Sequence, residues 1–258
     1  MVALGAAALA AGNVMADSSA GNACKGLPSH AQLKAELVKA VASEGSGLDF
    51  DMWGTIVNRD GVVCAVAFSG ADRGAQWPGS RVISAQKANT ANAFSLDGLA
   101  LSTANLYSAV QGTSEVTPLG GSLHGLQFSN PVDPAVAYAG NPQNYGQAND
   151  PMVGKRPGGV NVFGGGLGLY KNGHIVGAVG VSGDTSCADH NIAWRVRNNL
   201  KLDQMKGVGG VSGDAKRPDN MLLDEYNGNH DGVTSGFEQP PCLNNEGGDP
   251  TTLPEVQL

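Results

Sequence analysis

The order of apolar runs along the chain predicts a single α+β domain on a mostly antiparallel sheet of five strands. Three observations carry the prediction. A helical stripe and a second helix bracket a hairpin in the first hundred residues. An Asn-Gly hairpin follows in the second half, and its last strand turns directly into a final helix. Hairpin-joined strands with helices at both ends are the α+β pattern, whereas a doubly wound parallel sheet needs strict alternation of strand and helix.

Each element has a local reason. Ser29 caps a helix running to about Glu44, with Leu33, Leu37 and Val41 as its apolar stripe, Lys34 and Glu36 turned outward, and Gly45-Ser46-Gly47 at its end. Trp53–Val57 and Val62–Phe68 are apolar, β-rich runs around Asp60-Gly61, a hairpin signature. A helix from Ser80 to about Ser95 is rich in small residues (Ala85, Ala88, Ala91, Ala93), and a short helix covers Thr103 to Val110. Residues 111–160 show almost no periodicity, and such long loops are usually lids, binding loops or contacts between subunits. Order resumes with strands at Val160–Phe163, Leu167–Tyr170 and Ile175–Val181, the last two joined by Asn172-Gly173. The final strand is apolar on both alternations and should lie centrally, covered on both faces. A helix from Ser186 to Asn199 closes the domain, and residues 201–258 read as a polar tail whose one strand-like patch is Met221–Leu223.

Composition narrows the function classes. Glycine, at 38 of 258 residues, is about twice its usual share of ~7%, yet it has no three-residue period, which excludes collagen. Hydrophobic residues at 41% are enough for a core, which excludes wholesale disorder. A net charge of −7 with 16 scattered Lys and Arg lacks the footprint of a nucleic-acid binder. The apolar run Val2–Ala11 is too short to span a membrane. Followed by Val14-Met15-Ala16 and Asp17-Ser18-Ser19, it reads as a secretory signal over residues 1–16, although no basic segment precedes it. A periplasmic or secreted location follows, and the even number of cysteines agrees with it. Cys24, Cys64, Cys187 and Cys242 allow three pairings that sequence does not separate; Cys24–Cys64 with Cys187–Cys242 is the pairing adopted, the second tying the tail to the domain. No CxxC pair supports a zinc ribbon or a thioredoxin motif.

Several motifs have plainer readings. Gly164-Gly-Gly-Leu-Gly168 leads into a strand and not into a helix, so it is not a phosphate loop; glycines there let a backbone or a flat ligand approach closely. Residues Asn227–Glu238 have EF-hand spacing but Asn at the first position and no flanking helices, which favours an exposed turn over a calcium site. Cys187 and His190 lie one turn apart at the start of the last helix and could share a metal, but no third ligand is evident and a disulfide is the default. His190 is the leading candidate for metal or haem ligation and His124 the alternative, while His30, His174 and His230 read as surface residues. Neither a Gly-x-Ser-x-Gly elbow nor a telling carboxylate pair supports hydrolase chemistry.

Two segments together resemble the GlcG/HbpS family, often described as haem-binding or haem-degrading. Arg81–Phe94, with Lys87-Ala88-Asn89-Thr90-Ala91, is similar to the family's KAxTA helix. Gly165–Gly183 is similar to its GGxPL…VGAIGVSG hairpin, and Asp189 falls near its acidic position. The resemblance spans residues 29–200 and implies a profilin-like α/β/α sandwich, usually oligomeric, that binds haem or another flat tetrapyrrole. On that reading His190 is the axial ligand, Lys87 and Arg81 hold propionates, and Gly165 and Gly166 admit the ring; the plainer role for Lys87 is a structural salt bridge. The 111–160 insertion, the four cysteines and the tail depart from the small relatives. The expected function is an exported haem-binding protein with a scavenging, storage or redox-sensing role. The rivals are a structural or oligomerisation module of the same fold without ligand, which the 5% aromatic content favours, and a small-metabolite enzyme.

Overall fold

The computed structural model describes residues 23–112, 121–223, 236–242 and 253–258. Helix α1 (His30–Ala42) begins at a capping box: Ser29 Oγ accepts from Gln32 N–H, and the Gln32 side chain accepts from Ser29 N–H at 2.9 Å. Strands β1 (Trp53–Asn58) and β2 (Val63–Phe68) form the first hairpin. Helix α2 (Ser80–Phe94) leads into a 3₁₀ turn, Ala104–Leu106, and the short α3 (Tyr107–Val110). The long insertion is less irregular than its sequence implies, holding the one-turn helices α4 (Leu126–Ser129) and α5 (Pro134–Ala137). Strands β3 (Gly166–Lys171) and β4 (His174–Ser182) precede α6 (Ser186–Asn199).

The sheet has four strands in the order β2-β1-β4-β3, all antiparallel. Helix α2 covers one face and α1 with α6 the other, which makes an α/β/α sandwich. The expected fifth strand, Val160–Phe163, is not one. Its backbone bonds to side chains instead: Asn161 N–H donates to Thr90 Oγ1 at 3.0 Å, and Thr103 Oγ1 donates to the Phe163 carbonyl. Val160 and Val162 are apolar because they pack with Leu101, Leu106 and Val110 in a satellite core.

The two faces differ in depth. On the α1/α6 face, Leu33, Leu37, Ile56, Leu167, Leu169, Val179, Val181 and Trp194 fill the interior. On the α2 face the neighbouring strands β3 and β4 present Gly166 and Gly180, and helix and sheet backbones nearly touch. A Cβ at Gly180 would stand 2.0 Å from the Ser84 carbonyl, and one at Gly166 would stand 2.5 Å from the Lys87 carbonyl. The small residues of α2 and the glycines of the sheet are thus two halves of one close contact. The β3–β4 turn uses Asn172 (φ 52°) and Gly173 (φ 79°), both in the left-handed region that a two-residue hairpin requires.

The segment expected to be a polar tail is built into the core. Leu202, Met205, Val208, Leu253 and Val256 join the α1/α6-side cluster, and Trp194 Nε1–H donates to the Pro254 carbonyl at 2.9 Å. Residues 202–204 also pair with the outer edge of β3 through Tyr170 N–H to Leu202 O and Gln204 N–H to Tyr170 O. At the other edge, Val63 exchanges bonds with Gly154 and Lys155 of the insertion. Both exposed sheet edges are partly covered in this way, which limits edge-to-edge pairing between molecules. Disulfides join Cys24 to Cys64 and Cys187 to Cys242. Residues 1–16, and residues 227–235 of the EF-hand-like stretch, lie outside the described residues. No described helix is long and apolar enough to cross a membrane.

Candidate ligand site

Of the residues singled out from the sequence, Lys87, Arg81, Gly165, Gly166 and His190 lie inside the molecule, whereas His124 does not. Lys87 projects from α2 past the end of the sheet, where Nζ donates to Asp189 Oδ2 at 2.6 Å and to the Val181 carbonyl at 3.1 Å. The other oxygen of Asp189 accepts from the amides of Gly183 and Asp184 at 3.0 and 2.9 Å. This brace couples the two helical layers around the end of β4. Burial lowers the Lys87 pKa and lifts that of Asp189 to about 6, and each partner's charge opposes the burial effect on the other. Arg81 forms a fork with Asp150, Nε donating to Oδ2 at 2.8 Å, while Nη1 donates to the Ala137 carbonyl at 2.7 Å. Its guanidinium lies 3.7 Å from the Tyr145 ring centroid. Arg81 therefore holds the insertion against α2.

His190 on α6 has no exposed surface. Its Nε2 lies 3.2 Å from Asn220 Oδ1 and 3.3 Å from the Met221 amide, and its ring centroid is 5.9 Å from that of Trp194. Nδ1 has no partner among the described residues. Burial pushes its pKa down to about 4, so the ring is neutral at pH 7. His124 is exposed, with Nδ1 3.4 Å from the Val110 carbonyl.

Bound haem needs an open slot, an axial donor facing it and free cations for propionates. The expected set does not fit that description as arranged. The faces of Gly165 and Gly166 are filled by Val181 O, Thr103 and the backbone of α2, Lys87 and Arg81 are neutralised by Asp189 and Asp150, and His190 is enclosed. Of its two alternative readings, Lys87 takes the structural one, a salt bridge. Cys187 is in a disulfide, and among the described residues no three His, Cys, Asp or Glu side chains converge as a metal site.

An open cleft lies instead at the start of α6. It has a volume of about 330 Å³ and is lined by Tyr107, Phe163, Thr185, Ser186, Gln239, Pro240, Pro241 and Cys242. Thr185 caps α6 by accepting from Ala188 N–H at 3.3 Å. Ser186 Oγ accepts from Gly164 N–H at 2.6 Å and donates to Gln239 Oε1 at 2.8 Å. Gln239 Nε2 faces three sulfurs, Met221 Sδ at 3.1 Å and the two disulfide sulfurs at 3.7 and 3.8 Å. The tail wall is thereby fixed to the domain by one covalent bond and a small polar network. Sequence reasoning missed this cleft because its walls come from four separated segments. The only local signals were an apolar Phe163 beside the glycine run and a Pro-Pro pair preceding Cys242.

An antiparallel sheet packed through glycines onto a small-residue helix, and braced by a buried Lys–Asp pair, places the chain among single-domain α/β/α sandwiches. The family model described as "Haem degrading protein HbpS-like" matches residues 30–197, and the chain belongs to that family. Among solved structures it is similar to Klebsiella pneumoniae protein ORFY of the DUF336 family, at 26% identity and a TM-score of 0.43, over 66% of this chain and 87% of that one. It is also similar to a PduOC:haem complex, at 21% identity and a TM-score of 0.44, over 66% of this chain and 89% of that one. No curated protein matches the chain.

Proposed function

We propose that the protein binds haem outside the reducing cytoplasm, in a scavenging, storage or redox-sensing role. The observation that carries the haem reading is family membership over residues 30–197, the whole of the sandwich from α1 to α6. Support for an oxidising compartment comes from the two disulfides, since every cysteine is paired. Titration of the purified protein with hemin tests the reading: a saturable Soret shift is the expected result, and its absence sinks it. Fractionation of the producing cells, with N-terminal sequencing of the mature chain, tests export; an intact N-terminus in the cytoplasmic fraction overturns that part.

A second reading is favoured by the internal pairing of Lys87, Arg81 and His190: a structural or oligomerising module that keeps the fold without ligand. Light scattering that shows a homo-oligomer with no retained chromophore and no hemin response would establish it in place of the first.

A further inference from the structure

The bridge between α6 and the tail differs chemically from the other bridge. Both close loops of similar length, 55 residues for Cys187–Cys242 and 40 for Cys24–Cys64, so loop entropy barely separates them. The surroundings of their sulfurs do. Cys242 Sγ accepts from the Cys187 N–H at 3.0 Å, in the first turn of α6, where amide hydrogens have no partner within the helix. Gln239 Nε2 lies 3.7 Å from Cys242 Sγ and 3.8 Å from Cys187 Sγ, with its N–H groups turned toward sulfur. Such donors at a helix N-terminus stabilise a thiolate more than they stabilise a neutral disulfide. At the other bridge Cys64 Sγ lies 3.5 Å from the Val62 carbonyl oxygen, an electron-rich neighbour that disfavours a thiolate. Access to the α6 bridge is confined to one of its sulfurs. Cys242 lines the open cleft, whereas Cys187 is 2% exposed. A purely structural bridge has no use for donors around a charge that appears only on reduction.

We propose that Cys187–Cys242 is a thiol–disulfide exchange site for an external dithiol, with Cys242 as the reacting sulfur, while Cys24–Cys64 is structural. The proposal does not depend on haem binding. A thiolate of the dithiol enters through the cleft and attacks Cys242 Sγ, forming a mixed disulfide as the Sγ–Sγ bond breaks. The electron pair leaves on Cys187 Sγ, which takes up a proton. The second thiolate of the dithiol then attacks its own partner sulfur in the mixed disulfide and releases Cys242 as a thiolate, held by the Cys187 N–H. The dithiol ends as a disulfide and the protein gains two electrons. One proton of the dithiol goes to Cys187 and the other to solvent. Reduction removes the covalent hold on the Pro240-Pro241 wall, so redox state governs how firmly that side of the cleft is fixed.

The folded full-length protein is equilibrated at pH 7 in graded ratios of reduced to oxidised dithiothreitol. Samples are quenched in acid, alkylated and read cysteine by cysteine by peptide mass spectrometry. Cys187–Cys242 is expected to reach half reduction at a ratio about tenfold lower than Cys24–Cys64, with the native circular dichroism retained. Equal ratios, the reverse order, or reduction only on loss of the fold overturn the proposal. Gln239→Glu keeps an acceptor for Ser186 but replaces the N–H donors by a carboxylate. It should raise the ratio for Cys187–Cys242 by about tenfold and leave Cys24–Cys64 unmoved. An unmoved ratio for Cys187–Cys242 overturns the part given to Gln239. A short pulse of glutathione traps the attacked sulfur: an adduct on Cys242 is expected, and one on Cys187 overturns the assignment of Cys242.

Discussion

Protonating His190 would place a charge where water does not reach, between Trp194 and the tail. Its folded pKa of about 4 lies below the usual 6.5, so the unfolded chain binds the proton more readily. The stabilising contribution is therefore complete above pH 6.5 and is lost as pH falls toward 4, amounting to roughly 3 kcal/mol over that window. Urea midpoints at pH 7 and pH 5 should differ more in wild type than in His190→Gln, and equal slopes would count against the burial argument. Lys87 is the second residue with a sharp consequence. Lys87→Ala strands the Asp189 carboxylate in the interior and should cost about 3–5 kcal/mol. The double variant Lys87→Met with Asp189→Leu removes both charges and should recover most of the loss in the same urea measurement.

At the scale of elements, the contact between α2 and the sheet depends on atoms that are absent. Gly180→Ala puts a methyl group 2.0 Å from the Ser84 carbonyl, and backbone on both sides leaves no flexible atom to yield. Destabilisation of about 3 kcal/mol or more is expected, with a lowered melting temperature as the readout. The Cys187–Cys242 bridge joins α6 to the tail wall across 55 residues of sequence. Cys187→Ser with Cys242→Ser should cost about 2–4 kcal/mol.

For the molecule as a whole, truncation after residue 200 should fail to give a native fold even though it retains the family-matched region. Leu202, Met205, Leu253 and Val256 would be removed from the main cluster and the outer edge of β3 laid bare. Strong binding of an apolar dye and a broadened urea transition are the expected signs; a cooperative, dye-silent transition would show the sandwich to be self-sufficient. The same contrast explains what was legible in the sequence. Helix α1, both hairpins and α6 announce themselves through contiguous residues: the Ser29 cap and its Leu33-Leu37-Val41 stripe, Asn172-Gly173, and the apolar run into Ser182. The cysteine pairing Cys24–Cys64 with Cys187–Cys242, chosen among three, is the one the structure has. What stayed hidden depends on partners far apart along the chain. Lys87 meets Asp189 across 102 residues and Arg81 meets Asp150 across 69, so free cations and internal braces look alike in sequence. Val160–Phe163 shows the reverse failure, since an apolar run reports burial and says nothing of where its backbone bonds go.

The enclosure of Trp194 also has a temporal meaning. Its indole N–H is capped by Pro254, and Gln257 exchanges backbone bonds with the 203–205 segment, so the core is latched by residues more than fifty positions downstream of α6. A chain delivered from its N-terminal side, by a ribosome or through a translocation channel, cannot shut that latch until residue 257 has emerged.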